Sequence, residues 1–187
     1  MTPVTPAELS EQAPGIFYGT RSLVLIDRTL VEFLKQAACR TPTLRARVCA
    51  HPSAEAEQHN MLIASARGTY VAPHRHRRKS ETFLVLEGQA DMLLFDNDGR
   101  LTDLVPMGPA ASGRAFFYLM PEGQYHSLII DSDVLVFVES TKGPFRPEDT
   151  ENASWAPAVN AAAEGSAFLA SATAERRAVQ QARRRSC

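Results

Sequence analysis

Two histidines one residue apart, with a glutamate five residues after the second, sit inside "GTYVAPHRHRRKSETFLVLEG", residues 68–88. On a β-strand successive side chains alternate faces, so His74 and His76 point the same way, their Cα atoms about 7 Å apart. Two imidazoles at that spacing can converge on one metal ion. "RRKS" reads as a tight polar connection, after which Glu81 opens an antiparallel neighbour and brings its carboxylate back beside the histidines. Glu81, Phe83 and Val85 share a face of that strand, which aims the carboxylate inward. A fourth donor follows in "MPEGQYHSLII". Pro121 and Gly123 make a turn, and His126 opens a strand whose inner face also carries Leu128 and Ile130. Three imidazoles and one carboxylate suit one divalent transition metal: Fe, Mn, Ni, Co or Zn. Four protein ligands leave open positions only on a metal with five or six neighbours, so a catalytic site favours Fe, Mn, Ni or Co, and a structural one permits closed zinc. The plain alternative is that a histidine pair in a basic run such as "HRHRRK" decorates the surface.

Short strands must position these donors. From about Met61, runs rich in Val, Ile, Leu and Phe alternate with Gly, Asp, Asn and Pro: "MLIASARG", "ETFLVLEG", "QADMLLFDNDG", "RLTDLVPM", "RAFFYLMPEG", "YHSLIID" and "DVLVFVES". Such spacing, with the hairpin signal Asp96-Asn97-Asp98-Gly99, predicts a small antiparallel barrel or sandwich without a βαβ rhythm. Upstream, residues 1–20 carry three prolines and read as a loose arm. A short strand over Leu23–Ile26 and a helix capped by Asp27 follow, the helix placing Leu30, Phe33 and Leu34 on one face and ending before Thr41-Pro42. The domain reading is therefore 1–45 for the arm with its strand and helix, 46–158 for the barrel, and 159–187 for an Ala/Arg-rich tail, helical or disordered.

The 187 residues suffice for one domain with a core, and 44% hydrophobic with 22% charged residues is an ordinary globular balance. A net charge of -1 argues against a dedicated nucleic-acid binder. No apolar stretch approaches the roughly 20 residues of a membrane helix, and the N-terminus lacks the pattern of a secretory signal, so a cytoplasmic location is expected. Three scattered cysteines (Cys39, Cys49, Cys187) fit a reducing compartment.

The residues resemble the cupin superfamily. In its first motif, five residues separate Gly68 from His74, four separate His76 from Glu81, and six separate Glu81 from Gly88, a match at every spacing. In the second motif Pro121, Gly123 and His126 match. Gly113 does not, because seven residues rather than five precede Pro121, and Ile130 replaces the closing Asn. From Arg45 to Ala158 the chain is similar to the WbuC-type cupin fold metalloproteins, through "RARVCAHPSAEAEQHNMLIASARGTYVAPHRHRRKSETFLVLEG", "LLFDNDGRLT", "HSLI", "KGPFRPEDTE" and "WAPA". That resemblance implies a mainly β, double-stranded β-helix (cupin, jelly-roll) barrel, with one metal held by His74, His76, Glu81 and His126. It also implies a link to bacterial surface-polysaccharide (O-antigen) sugar assembly.

Two functions from different classes follow. One is a metal-dependent enzyme on a small polar metabolite such as a sugar, either an isomerase or epimerase working through an enediol or a dioxygenase. No dedicated catalytic base stands out beyond Glu81, His51 or Tyr70. The other is a non-catalytic saccharide-binding or structural module in which the metal stabilises the barrel. His51 reads as a structural histidine or, if residues 47–51 fold over the barrel mouth, as a substrate contact. Tyr70 and Lys79 are the other substrate-contact candidates, Lys79 toward an anionic group. His59 reads as surface, Cys49 as a small buried apolar residue, and Arg114, Arg146 and the C-terminal arginines as solvated. Trp155 and Pro157 pin the chain to the barrel. Unprotected strand edges predict a homodimer.

Overall fold

The computed structural model describes residues 2–185, with side chains through residue 176. Twelve strands and two α-helices run in the order β1 (Leu9–Ala13), β2 (Ile16–Gly19), α1 (Arg28–Ala38), β3 (Arg45–Cys49), β4 (Gln58–Ala66), β5 (His74–His76), β6 (Glu81–Glu87), β7 (Ala90–Phe95), β8 (Leu101–Met107), β9 (Phe117–Met120), β10 (Tyr125–Ile130), β11 (Val134–Lys142), β12 (Thr150–Asn152) and α2 (Ala162–Arg185). They form two facing sheets, β1-β2-β3-β4-β11-β6-β9 and β12-β5-β10-β7-β8, antiparallel throughout except for the β2–β3 pair. From β5 onward the chain passes repeatedly between the sheets, which is the double-stranded β-helix of the cupin, jelly-roll fold.

Period-two alternation sorts the side chains into layers. On β11, Leu135 and Phe137 enter the core between the sheets, while Val136 faces the opposite way, toward α1. On β6, Phe83 and Val85 enter the same inner core. Outside the larger sheet, α1 starts where the Asp27 side chain accepts the Leu30 amide at 3.0 Å. Leu30, Leu34 and Ala38 are fully buried against Val48, Leu62 and Ala64. Each leucine buried this completely contributes about 1.5–3 kcal/mol of hydrophobic stabilisation. Outside the smaller sheet, Trp155 packs on Phe95, Tyr125 and Phe168 and so ties the barrel to α2, where Leu169 is also buried.

Three expectations for the first half of the chain are corrected. Residues 9–19 are a β-hairpin, not a loose arm; its turn uses Gly15 at φ +75, where a Cβ would lie 2.8 Å from the Arg45 carbonyl oxygen. Leu23–Ile26 is not a strand. Leu23 and Ile26 find no inner face and stay exposed at 50% and 38%, because β2 already occupies the sheet position beside β3. The segment 47–51 is not a flap folded over the mouth: residues 47–49 belong to the interior strand β3, between β2 and β4, and His51 follows directly after it. In the tail, the described part is helical. The side chains of Arg177, Arg183, Arg184 and Arg185, and all of Cys187, lie outside the described residues.

Candidate metal centre and its cavity

His74, His76 and His126 meet inside the barrel, each offering a ring nitrogen within 4.8 Å of the others. Backbone register brings them together: His126 on β10 is directly paired with His74 on β5, and His76 follows on the same face. Second partners fix the rings. The Nδ1 of His74 lies 2.9 Å from the Ala72 carbonyl, that of His126 2.9 Å from the Gln124 carbonyl, and that of His76 3.3 Å from the Thr150 hydroxyl. With Nδ1 donating to a carbonyl, the Nε2 of neutral His74 is left as the lone-pair nitrogen, and that of His126 faces Glu81, where a metal would take the place of its proton.

Glu81 lies against two of these rings. Its Oε2 lies 2.9 Å from His76 Nε2 and its Oε1 3.2 Å from His126 Nε2, while the Tyr118 hydroxyl donates to Oε1 at 3.0 Å. The route differs from the expected one. β6 is not the antiparallel neighbour of β5; it lies in the opposite sheet between β11 and β9, so "RRKS" carries the chain across the sandwich and Glu81 faces the histidines through the interior. Gly123 of the later turn donates its amide to the His76 carbonyl at 2.7 Å, closing the second motif onto the first.

Burial sets the protonation pattern. His74 is pushed down to about 3, by burial first and by neighbouring His126 second, and is therefore a neutral imidazole at physiological pH. Burial alone would raise the Glu81 carboxyl, but hydrogen bonds from His126 and His76 outweigh it and hold the group well below the ordinary carboxylate range. For His126 the balance is reversed: burial opposes the charged ring, and the Glu81 hydrogen bond and charge overcome it. Burial and the Glu81 charge raise the Tyr118 phenol well above its usual value, so it stays a neutral donor. The donor set fits a divalent transition metal on these grounds: three convergent imidazoles, one ionised carboxylate and rings already oriented.

The same cluster forms one wall of a cavity of about 250 Å³. His51 and Lys79, two of the substrate-contact candidates, line it. Tyr70 does not; it lies outside the barrel against α2, donating its hydroxyl to the Pro157 carbonyl at 2.8 Å. His59, expected at the surface, is buried at 6% and stacks on His51 at 4.0 Å. The reason is that β4 begins at Gln58 rather than near Met61, which puts His59 on the inward face with Met61 and Ile63. Several cavity residues escaped the sequence reading: Tyr18, Arg45, Arg47, Tyr118 and Glu139. A signal existed for three of them, since Arg45 and Arg47 alternate with Ala46 and Val48, and Glu139 follows Phe137 on an otherwise apolar face. Arg45 lies 3.6 Å from Glu139, whose carboxyl is raised by burial and then by the Glu81 charge.

A clasp outside the barrel holds the His76 side of the site. Glu151, next to Thr150 on β12, accepts from Arg75 at 2.8 and 3.0 Å, Arg77 at 2.7 Å and Tyr125 at 3.0 Å. The Arg75 hydrogen bonds, followed by that of Arg77, lower its carboxyl from 4.5 to about 2. A depressed folded-state value contributes stability above the unfolded value and loses it as pH falls toward the folded one. The melting temperature of Glu151→Gln is therefore expected to lie below that of the wild type at pH above 4.5, with the gap closing as pH falls toward about 2. A gap independent of pH in thermal unfolding would refute this assignment.

Residues 26–107, less than half of the chain, match a family model described as a domain of unknown function, DUF6016. No curated protein matches in sequence. In structure the chain is similar to PAC13 of Streptomyces bound to uridine, at 16% identity, covering 58% of this chain and 76% of that one with a TM-score of 0.44. It is likewise similar to an uncharacterised double-stranded β-helix protein of Klebsiella pneumoniae, at 14% identity, 58% and 79% coverage and TM-score 0.45. A third similar structure is CapF with a tropolone inhibitor, at 16% identity, 60% and 32% coverage and TM-score 0.48. The barrel here rests on its own strand order. Among the described residues no helix is long and apolar enough to cross a membrane.

Proposed function

We propose that the chain is a mononuclear metal-binding cupin that acts on a small polar metabolite, a sugar or sugar derivative. The resemblance to WbuC-type proteins points to bacterial surface-polysaccharide (O-antigen) metabolism, in the cytoplasm. The supporting observation is the convergence of His74, His76 and His126, with Glu81 between two of them, on the wall of a cavity rather than in a solid core. Those four side chains would hold the metal. When bound, a divalent metal would polarise a carbonyl or hydroxyl oxygen as a Lewis acid.

The chain's own residues supply the rest. Tyr118 orients Glu81 through its hydroxyl. Glu139 stands near Arg45 at the cavity wall, its carboxyl raised by burial and then by the Glu81 charge. A carboxyl on the same cavity wall as the metal donors is a group that can move a proton in isomerisation or epimerisation, and on this ground the enzymatic reading is preferred over a purely structural metal. The test has two parts. Metal analysis of the purified protein should find about one divalent transition metal per chain, with X-ray absorption showing five or six light-atom neighbours. Incubation of the loaded protein with aldoses, ketoses and sugar acids in D₂O should show deuterium entering a substrate carbon by NMR. Absence of metal defeats the reading altogether; tetrahedral zinc without deuterium exchange would leave a structural module in its place.

A further inference from the structure

Arg47 is a cation without a counter-ion in the wall of the metal-facing cavity. It lies on the inner face of β3 with Arg45 and Cys49, whereas Ala46 and Val48 face α1. Arg45 has Glu139 at 3.6 Å. Among the described residues Arg47 has no carboxylate within ion-pair distance, and its Nε is buried without a hydrogen-bond partner. Its charge reaches Cys49, Tyr18, His51, His59 and Glu139, so the guanidinium sits among groups that converge from several strands. Lys79, on the same cavity, likewise has no ion-pair partner among the described residues. Of the two cavity carboxyls, Glu81 is engaged by His76, His126 and Tyr118, and Glu139 faces Arg45. Neither lies within ion-pair distance of Arg47, although the Glu139 carboxyl feels its charge.

Arg47 is only partly buried, but its Nε is enclosed and unpartnered, and a polar nitrogen so placed costs free energy unless something satisfies it. Its planar fork of donors matches a planar carboxylate with two parallel hydrogen bonds, a fit an ammonium group does not reproduce. A cavity of about 250 Å³ limits the ligand to a small molecule of roughly monosaccharide size.

We propose that Arg47, assisted by Lys79 at the cavity wall, is an anion-binding subsite, and that the ligand of this protein is a small carboxylate-bearing molecule such as a sugar acid. The proposal deepens the reading of the metal site and names its substrate class, but binding at Arg47 does not depend on metal. Cavity access by neutral sugars is then disfavoured, because they leave the guanidinium desolvated and unpaired.

Calorimetric titration with D-glucuronate, D-glucose and inorganic phosphate tests this, on protein with its metal and on protein stripped by a chelator. D-Glucuronate is expected to bind at least tenfold more tightly than D-glucose in both forms. Arg47→Ala should remove that preference, and Arg47→Lys should restore only part of it, with both variants melting cooperatively. Persistence of the stripped protein's preference would uphold the subsite even if no metal function existed, whereas loss of metal binding alone would defeat only the metal reading. Equal affinity for D-glucuronate and D-glucose in the wild type, or an undiminished preference in Arg47→Ala, overturns the subsite. Arg47-dependent binding of phosphate without binding of D-glucuronate overturns the carboxylate assignment.

Discussion

His126→Ala is expected to lower bound metal from about one ion per chain to less than about a tenth of that. Four donors cooperate in the site, and His126 makes the most of its geometry: it is register-paired with His74, anchored at Nδ1 by the Gln124 carbonyl and placed 3.2 Å from Glu81. Removing it takes away an imidazole and leaves Glu81 Oε1 held by the Tyr118 hydroxyl alone. The loss propagates to stability. A ligand present at a hundred times its dissociation constant, and bound only by the folded chain, adds about 2.7 kcal/mol. A chelator should thus lower the melting temperature of the wild type by several degrees and leave His126→Ala unmoved. Arg146→Ala is the control, because Arg146 pairs with Glu55 at the surface and touches no donor. Elemental analysis with thermal unfolding reads both effects. A His126→Ala protein that keeps its full metal complement, or that still responds to the chelator, would show that the three imidazoles are not the binding group.

The barrel and the donor residues were legible in the sequence for different reasons. Alternation exposed the faces of β6 and β10, and hence the inward direction of Glu81 and His126, because Phe83 and Val85 share the face of the one and Leu128 and Ile130 that of the other. Asp27 announced its helix through a capping bond that needs only local chemistry. Partnership between strands was not legible. Nothing local to "RRKS" distinguishes a hairpin from a crossing between sheets, so the sequence puts Glu81 beside the histidines by way of the wrong neighbour. The cavity was also obscured, since Arg47 and Glu139 look like ordinary surface charges until β3 and β11 are known to line the interior. The misassignment of His59 came from a strand that starts a turn earlier than its apolar run. Tyr70 had the right chemistry but belongs to the outer layer with α2.

Support beneath the donors gives the largest expected loss of stability. Phe83 is 1% exposed and stacks between Phe137, at 4.1 Å and 19°, and Tyr118, at 4.9 Å and 10°. Truncating a buried phenylalanine to alanine costs about 3–5 kcal/mol, through lost burial and the cavity left behind. That is a large share of the roughly 5–15 kcal/mol that keeps a domain folded. Phe83→Ala should therefore shift the urea midpoint strongly downward at an unchanged slope, whereas Leu86→Ala on the same strand, 41% exposed, should change the unfolding free energy by no more than about 0.5 kcal/mol. The packing also reaches the chemistry. Tyr118 is held flat by Phe83 and holds Glu81 by its hydroxyl, so a hole at position 83 lets the phenol tilt and loosens a metal donor two residues away on β6. Phe83→Leu separates the two effects: it retains much of the apolar volume but no flat ring. It should recover most of the stability while metal affinity, measured by competition with a chelator, stays weakened. If Phe83→Ala were no more costly than Leu86→Ala, the stack would not be the floor of the site, and the orientation of Glu81 would have to come from its imidazole partners alone.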